Sequence, residues 1–187
     1  DIDITASDDC LNAANSDLSG YRFSMTISGG AINAYTSGDG FDSNGDLTIS
    51  GGTVIVWTAS TADNQPLDAD GTLTVSGGTF TSNGSALSVA DKYLAADHGV
   101  VQDPGSGSCT VVPKAVEVRA TYDGQAVGSK YITIEEAVAN RSGNAWIAIT
   151  GDYTLSSDYS IPEGVGIDIQ SGATLTIPAG VTLTVAE

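Results

Sequence analysis

The sequence predicts an all-β fold, a right-handed parallel β-helix (solenoid), with one short α-helix near residues 133–141. Three observations carry that prediction. The hexad [Met/Leu]-Thr-[Ile/Val]-Ser-Gly-Gly begins at Met25, Leu47 and Leu73, at intervals of 22 and 26 residues, within the range of periods that marks solenoids. Each Gly-Gly is followed by an alternating run rich in Thr, Val and Ile, which is strand patterning, and helical periodicity is absent there. Acidic turns recur in phase with the hexads, as Ser7-Asp-Asp-Cys-Leu-Asn12, Ser37-Gly-Asp-Gly-Phe-Asp-Ser-Asn-Gly-Asp46 and Asn64-Gln-Pro-Leu-Asp-Ala-Asp-Gly71, with Leu11, Phe41, Leu67 and Leu87 as apolar anchors. Three short strands per turn fit this spacing.

Alternation assigns the faces, because neighbouring residues on a strand point to opposite sides. Met25 and Ile27, Leu47 and Ile49, and Leu73 and Val75 fill the interior, leaving Thr26, Thr48 and Thr74 stacked outside. After the glycines, Ile32 and Ala34, Val54 and Val56, and Phe80 and Ser82 point inward, and Tyr35, Trp57 and Asn83 point outward. Two outward aromatics on adjacent turns can make a flat platform on which a sugar ring stacks. The alternative is that they only shield backbone on a β surface.

In the acidic turns, Asp8 and Asp9, Asp39 and Asp42, and Asp68 and Asp70 fall in matching places. Successive turns stack about 4.8 Å apart, so these carboxylates form a column that repels itself without a cation. Calcium takes six to eight hard oxygens in flexible geometry. The alternative is that Asp and Asn in Gly-rich turns only hydrogen-bond their own backbone.

These residues resemble a known family. Asp8-Asp9-Cys-Leu-Asn12-Ala-Ala-Asn, Met25-Thr-Ile-Ser-Gly-Gly, Ser37-Gly-Asp-Gly-Phe-Asp-Ser-Asn-Gly and Pro66-Leu-Asp-Ala-Asp-Gly look like the last turns of a bacterial family of calcium-binding, carbohydrate-binding β-helices, itself similar in fold to polysaccharide lyases. The match covers roughly residues 1–90, and Cys10 stands where that family usually has Gly. The resemblance implies Ca2+ held by the acidic turns, with Asp8, Asp9, Asn12, Asp39 and Asp42 as ligands joined by Asn44, Asp68 and Asp70. It implies binding of a uronate or cellulose-like polysaccharide; the carbohydrate-binding candidates are the Tyr35 and Trp57 that alternation places outward. Lyase chemistry needs a Lys or Arg base, and Arg22 and Lys92, the basic residues before Lys114, lie outside the acidic column. His98, in Ala-Asp-His-Gly, reads as a turn residue. Binding without catalysis is therefore the expectation.

Composition limits the partners. With Lys+Arg 6 against Asp+Glu 23, the formal charge is -17, which argues against nucleic acid and anionic membrane surfaces. No apolar stretch approaches the roughly 20 residues of a membrane span. The chain opens mid-pattern, with Ile2 and Ile4 alternating into an acidic turn, and reads as a piece of something longer. Cys10 and Cys109 match no metal or redox spacing. Stacking separates them by about three turns, or roughly 14 Å, so each is expected to be free or to pair with a neighbouring chain.

The pattern breaks from Asp91 to Lys114, with a turn or hairpin tip at Asp103-Pro-Gly-Ser-Gly-Ser108 and a short strand at Cys109-Thr-Val-Val. Glutamate first appears at Glu117, so two segments are expected, 1–112 and 113–187. In the second, Thr133 caps a helix of about two turns with Glu136 as its capping-box partner. Ile134, Ala137 and Val138 share its buried face. Strands follow at 146–149, 153–155, 166–169, 174–177 and 181–185. Ile161-Pro-Glu-Gly-Val165 recurs as Ile177-Pro-Ala-Gly-Val181 after 16 residues. This half resembles the start of β-helices in large Gram-positive surface proteins, where a Tyr-x-Thr-Ile-x-Glu-Ala helix precedes the first turn.

Two functional readings follow. One is a calcium-dependent carbohydrate-binding module of a secreted or cell-surface associated bacterial protein. The other is a structural stalk, adhesin or filament-forming segment that self-associates head to tail through unpaired strand edges. Ice binding by the Thr ladder is weaker, because one column of three threonines is narrow.

Overall fold

The computed structural model describes residues 1–15, 17–59, 64–82, 93–103 and 105–186. Leu87, Asn83 and Lys92 lie outside them. The chain divides into two compact units, Asp1–Val112 and Pro113–Glu187. Both are built from stacked parallel coils, a β-solenoid with one short helix.

In the first unit β1 (Ile2–Ala6), β2 (Leu11–Ala13), β3 (Ser24–Thr36), β4 (Phe41–Ser43), β5 (Asp46–Thr58), β6 (Leu67–Ala69) and β7 (Leu73–Ser82) follow in order. Strands β1, β3, β5 and β7 form one parallel ladder, and β2, β4 and β6 a second. The hexad and the run after it make one strand of 13 residues in β3 and β5, where two were expected. The reason lies at the Ser-Gly-Gly corner. Gly30, Gly52 and Gly78 take φ of +85°, +98° and +104°, which glycine adopts at little cost. The ladder shifts register there and continues.

Ile27, Ile32, Ala34, Phe41, Leu47, Ile49, Val54, Val56, Leu67, Val75 and Phe80 are buried between the ladders, on the faces that alternation assigned. Full burial of a side chain such as Phe41 or Leu47 is worth about 1.5–3 kcal/mol. The parallel pattern ends in β8 (His98–Asp103) and β9 (Ser108–Pro113); β9 runs antiparallel to β7, pairing Phe80 with Cys109. Cys10 and Cys109 are both free thiols. Cys109 is wholly buried, so inter-chain pairing through it is excluded in the folded state. Cys10 packs partly against the same core.

The second unit begins with β10 (Val116–Arg119) and α1 (Ile134–Ala139). The Glu136 N–H donates to Thr133 Oγ1 at 3.1 Å, and Glu136 Oε2 accepts from the Ile132 N–H at 3.1 Å. Ile134, Ala137 and Val138 are buried, as the sequence indicated. Then come β11 (Ala145–Ile149), β12 (Tyr153–Thr154), β13 (Tyr159–Ile161), β14 (Val165–Ile169), β15 (Leu175–Thr176) and β16 (Leu183–Val185). Pairing of β11 with β14, β12 with β15 and β13 with β16 makes two three-strand coils, while β10 closes on β11 antiparallel. Strands β10 and β13 had no counterpart in the sequence reading. The Ile-Pro-x-Gly-Val repeat is not the coil repeat, since Ile161 pairs with Val185. Its copies are two successive corners using one turn: Val165 N–H to Pro162 O at 3.2 Å and Val181 N–H to Pro178 O at 3.0 Å. Gly164 and Gly180 supply the positive φ that a type II turn requires.

Coil stacking leaves no room for a side chain at Gly40, where a Cβ would lie 2.3 Å from Val56 Cγ1 and 2.4 Å from Pro66 O. Gly40→Ala is expected to destabilise the first unit by about 1–3 kcal/mol, measured by denaturant unfolding. Gly29→Ala, where a Cβ meets nothing within 4 Å, is expected to change stability by less than about 0.5 kcal/mol.

Candidate functional site

The acidic turns stack as the coils do, but in separate columns. In register, Leu11, Phe41 and Leu67 form the apolar column, and Asn12, Asp42 and Asp68 lie beside it. Two residues before the anchors, the Asp39 N–H donates to Asp9 Oδ1 at 2.9 Å, and the Gln65 N–H donates to Asp39 Oδ1 at 2.6 Å. Asp9, Asp39 and Gln65 therefore make a second column. Asn44 Nδ2 donates to Asp70 Oδ2 at 3.0 Å, which makes a third. The expected pairing of Asp8 and Asp9 with Asp39 and Asp42 and with Asp68 and Asp70 is thus resolved into columns two and three residues apart. Asp8 is exposed, and its backbone carbonyl accepts from Thr36 Oγ1.

Most carboxylates in these columns face an amide. Asn12 Nδ2 donates to Asp9 Oδ2 at 2.7 Å and to Asp42 Oδ2 at 3.1 Å. On the long ladder, Asn33 Nδ2 donates in the same way to Asp3 Oδ1 at 2.6 Å. The contrast is Asp42 against Asp68, two carboxylates in direct register. Burial raises the Asp42 carboxyl above its ordinary value, and the charges of Asp9, Asp68, Asp39 and Asp70 add to the rise. Burial also raises Asp39, opposed by the Gln65 N–H and reinforced by Asp68, Asp9 and Asp8.

Among the described residues no three His, Cys, Asp or Glu side chains converge as a metal-holding group. The donors are nonetheless all hard oxygens, the type that suits calcium. They are spread along the coil axis in columns, not gathered into a cage.

The aromatic pair lies on the long ladder. Tyr35 on β3 and Trp57 on β5 are register partners, 47% and 40% exposed, with Thr5 of β1 next in the row. Asp3, Asn33 and Ile55 form the parallel row two residues earlier on the same face. The Asn83 position of the aromatic row is outside the described residues.

Of the two basic residues before Lys114, Lys92 lies outside the described residues and Arg22 pairs at the end of the acidic turn. Arg22 Nη2 lies 3.4 Å from Asp46 Oδ2 in an exposed pair. His98 begins β8, half-buried, with Nδ1 3.0 Å from Ala96 O, so the expected turn residue is the first residue of a strand. The turn lies just before it, where Asp97 takes a positive φ.

Three positioning residues escaped the sequence reading. Ser43 is fully buried; its Oγ accepts from the Gly45 N–H at 3.2 Å and donates to Asp46 O at 3.2 Å, bending the acidic turn. Thr36 Oγ1 accepts from the Gly38 N–H at 2.9 Å. Asp46 Oδ1 accepts from the Thr72 N–H at 2.8 Å, tying one coil to the next. Only the spacing of Asp46 from the hexad could have marked it. Comparison with models of known families, with curated proteins and with solved structures finds no match.

Because Asp39 and Asp42 hold a proton more readily in the fold than in the unfolded chain, their stabilising contribution is fully present below the ordinary Asp value. It is lost as pH rises through the raised values. In metal-free buffer the first unit is expected to melt higher at mildly acid than at neutral pH. Asp42→Asn is expected to raise the neutral-pH melting temperature and flatten this dependence, as followed by circular dichroism across the pH range.

Proposed function

We propose that the Asp1–Val112 unit is a calcium-dependent carbohydrate-binding module of a secreted or cell-surface associated bacterial protein. The observation that carries this reading is the register pairing of exposed Tyr35 and Trp57 on one face of a parallel ladder. Aromatic rings at strand spacing offer a hydrophobic face to the C–H side of a sugar ring. Asp3 and Asn33 on the same face supply polar groups for hydroxyls. A flat sheet suits an extended chain, so a uronate or cellulose-like polysaccharide is the partner proposed.

Calcium enters through the acidic columns. Asp42 and Asp68, with Asp9, Asp39 and the carbonyl oxygen of Asn12, are the groups that would hold it, helped by Asp8, Asn44 and Asp70. Bound there, the ion supplies positive charge that offsets the repulsion along the column and can also meet the carboxylate of an acidic sugar. The chain's part is to hold the carboxylates at fixed spacing through the Asp9–Asp39 and Asp39–Gln65 hydrogen bonds. Binding without catalysis is proposed because Arg22 is directed to Asp46.

A second reading, a stalk, adhesin or filament segment that self-associates without sugar, is favoured by one observation. The Asn12 amide already bridges Asp9 and Asp42, so part of the column is satisfied by the chain itself.

In the module reading, Trp57→Ala loses retention on immobilised polygalacturonate or amorphous cellulose while keeping its calcium response; equal retention by mutant and parent overturns it. Calcium is expected to raise the melting temperature of chelator-stripped protein, as any ligand of the folded state does. Asp42→Ala is expected to abolish that rise, and an unchanged melting temperature in the parent removes calcium from the proposal.

A further inference from the structure

The surface around the Tyr35 and Trp57 platform carries a chemical bias of its own. The row beside it on the long ladder is Asp3, Asn33, Ile55 and Thr81, and the row beyond that is Ala31, Thr53 and Thr79. Alternation puts all of these on the side away from the core, as it does the two rings. Hydroxyls, one amide and apolar groups make up the rows, and Asp3 is the one charged side chain in them.

Asp3 is the register partner of Asn33 and therefore stands diagonal to Tyr35. Diagonal neighbours on adjacent strands lie about 7–8 Å apart, within reach of an aromatic side chain and of a ligand stacked on it. The fixed partner of Asp3 is an amide, since Asn33 Nδ2 donates to its Oδ1 at 2.6 Å. That bond holds the carboxylate in place without neutralising it, and among the described residues Asp3 has no ion-pair partner. The wider field has the same sign. Residues 1–112 hold 14 Asp and no Glu against Arg22 and Lys92, and Arg22 faces Asp46 in an acidic turn.

We propose that the Tyr35 and Trp57 platform takes a neutral glycan and turns away a uronate, with Asp3 as the residue that makes the distinction. The inference rests on the platform reading above and narrows its partner. A neutral sugar stacks its C–H face on the rings and brings hydroxyl donors, which a carboxylate accepts in strong charge-assisted bonds. Asn33 keeps Oδ1 and its second amide hydrogen for a further hydroxyl. A uronate in the same place turns an acceptor-only carboxylate toward Asp3, with no ammonium or guanidinium in these rows to separate the two. Discrimination then comes from one repulsive group added to attractive contacts that both sugars share.

The test is calorimetric titration of the intact chain with cellohexaose and with hexagalacturonate in one calcium-containing buffer, counting only the binding that Trp57→Ala removes. Cellohexaose is expected to bind more tightly than hexagalacturonate. Asp3→Asn keeps the side-chain shape and is expected to move the ratio of the two affinities toward hexagalacturonate by about threefold, the scale of one exposed charge pair. Thr5→Lys, at an exposed position beside Tyr35 in register, is expected to move the ratio the same way by supplying the missing cation. Hexagalacturonate bound through the platform as tightly as cellohexaose in the parent overturns the inference and leaves the module reading standing. A parental ratio in both variants overturns the role of Asp3. Binding of neither sugar by the parent overturns the platform reading and the inference together.

Discussion

In a parallel solenoid the backbone ladder decides which side chains become neighbours. Each residue lies about 4.8 Å from its equivalent in the next coil, so one choice repeated in the sequence becomes a continuous column in space. Apolar columns profit from this, as Phe41 over Leu67 and Ile49 over Val75 show by their burial. Glycine columns profit differently. A Cβ at Gly51 or Gly77 would lie 2.7 or 2.4 Å from the carbonyl of Ser28 or Ser50 in the preceding coil, so the Ser-Gly-Gly corner sets how closely coils approach. Carboxylate columns are the difficult case, because the same ladder holds like charges together.

The chain answers that difficulty mainly by alternation between amide and acid. Asn33 faces Asp3, Asn12 faces Asp42, and Asn44 faces Asp70. Each amide donates to a carboxylate that another carboxylate would repel, and charge-assisted bonds of this kind are among the stronger ones. The Asp9 carboxylate, besides facing Asn12, and the Asp39 carboxylate accept backbone N–H groups of the next coil. The ladder thus converts a potential cost into inter-coil cross-links. Thr79 and Thr110 do the same with hydroxyls, 2.9 Å apart, where β9 covers the end of the parallel ladder.

How much was legible followed from how local each signal is. The hexads and their alternation identified the coils, the interior residues and the outward aromatics, since a period of two has only two faces. The α1 cap was equally legible, being a contact within four residues, although Glu136 reaches back to the Ile132 N–H and not to that of Thr133. Column assignment in the acidic turns was not, because Asp-rich turns align equally well in several registers and only backbone pairing chooses among them. Ser43 was invisible for the same reason: a serine in a polar turn carries no sign of burial. The antiparallel joins of β9 to β7 and β10 to β11 depend on contacts distant in sequence. The Ile-Pro-x-Gly-Val copies recur because a type II turn serves any corner, so their spacing measures corners and not coils.

The alternation is incomplete, since Asp9 stands over Asp39 and Asp42 over Asp68. Asp42 has an amide on one side, Asn12, and a carboxylate on the other, Asp68. Substituting Asn at position 68 would complete the pattern with no change of shape, and the sequence does not have it. The repulsion on Asp42 comes from the neighbouring carboxylates of the acidic turns, Asp9 first and then Asp68, Asp39 and Asp70, and is a local feature of these turns and not of net charge, which a substitution anywhere on the surface would alter. Coulombic energy between groups in register varies steeply with separation, whereas the remaining charge of the unit acts through solvent and is screened within about 10 Å at ordinary salt. Bulk salt consequently relieves the general repulsion much more than that among the stacked carboxylates around Asp42. A cation seated among these carboxylates acts where screening is least effective, and this distinguishes specific ligation from the ionic-strength response that a highly acidic chain must show in any case.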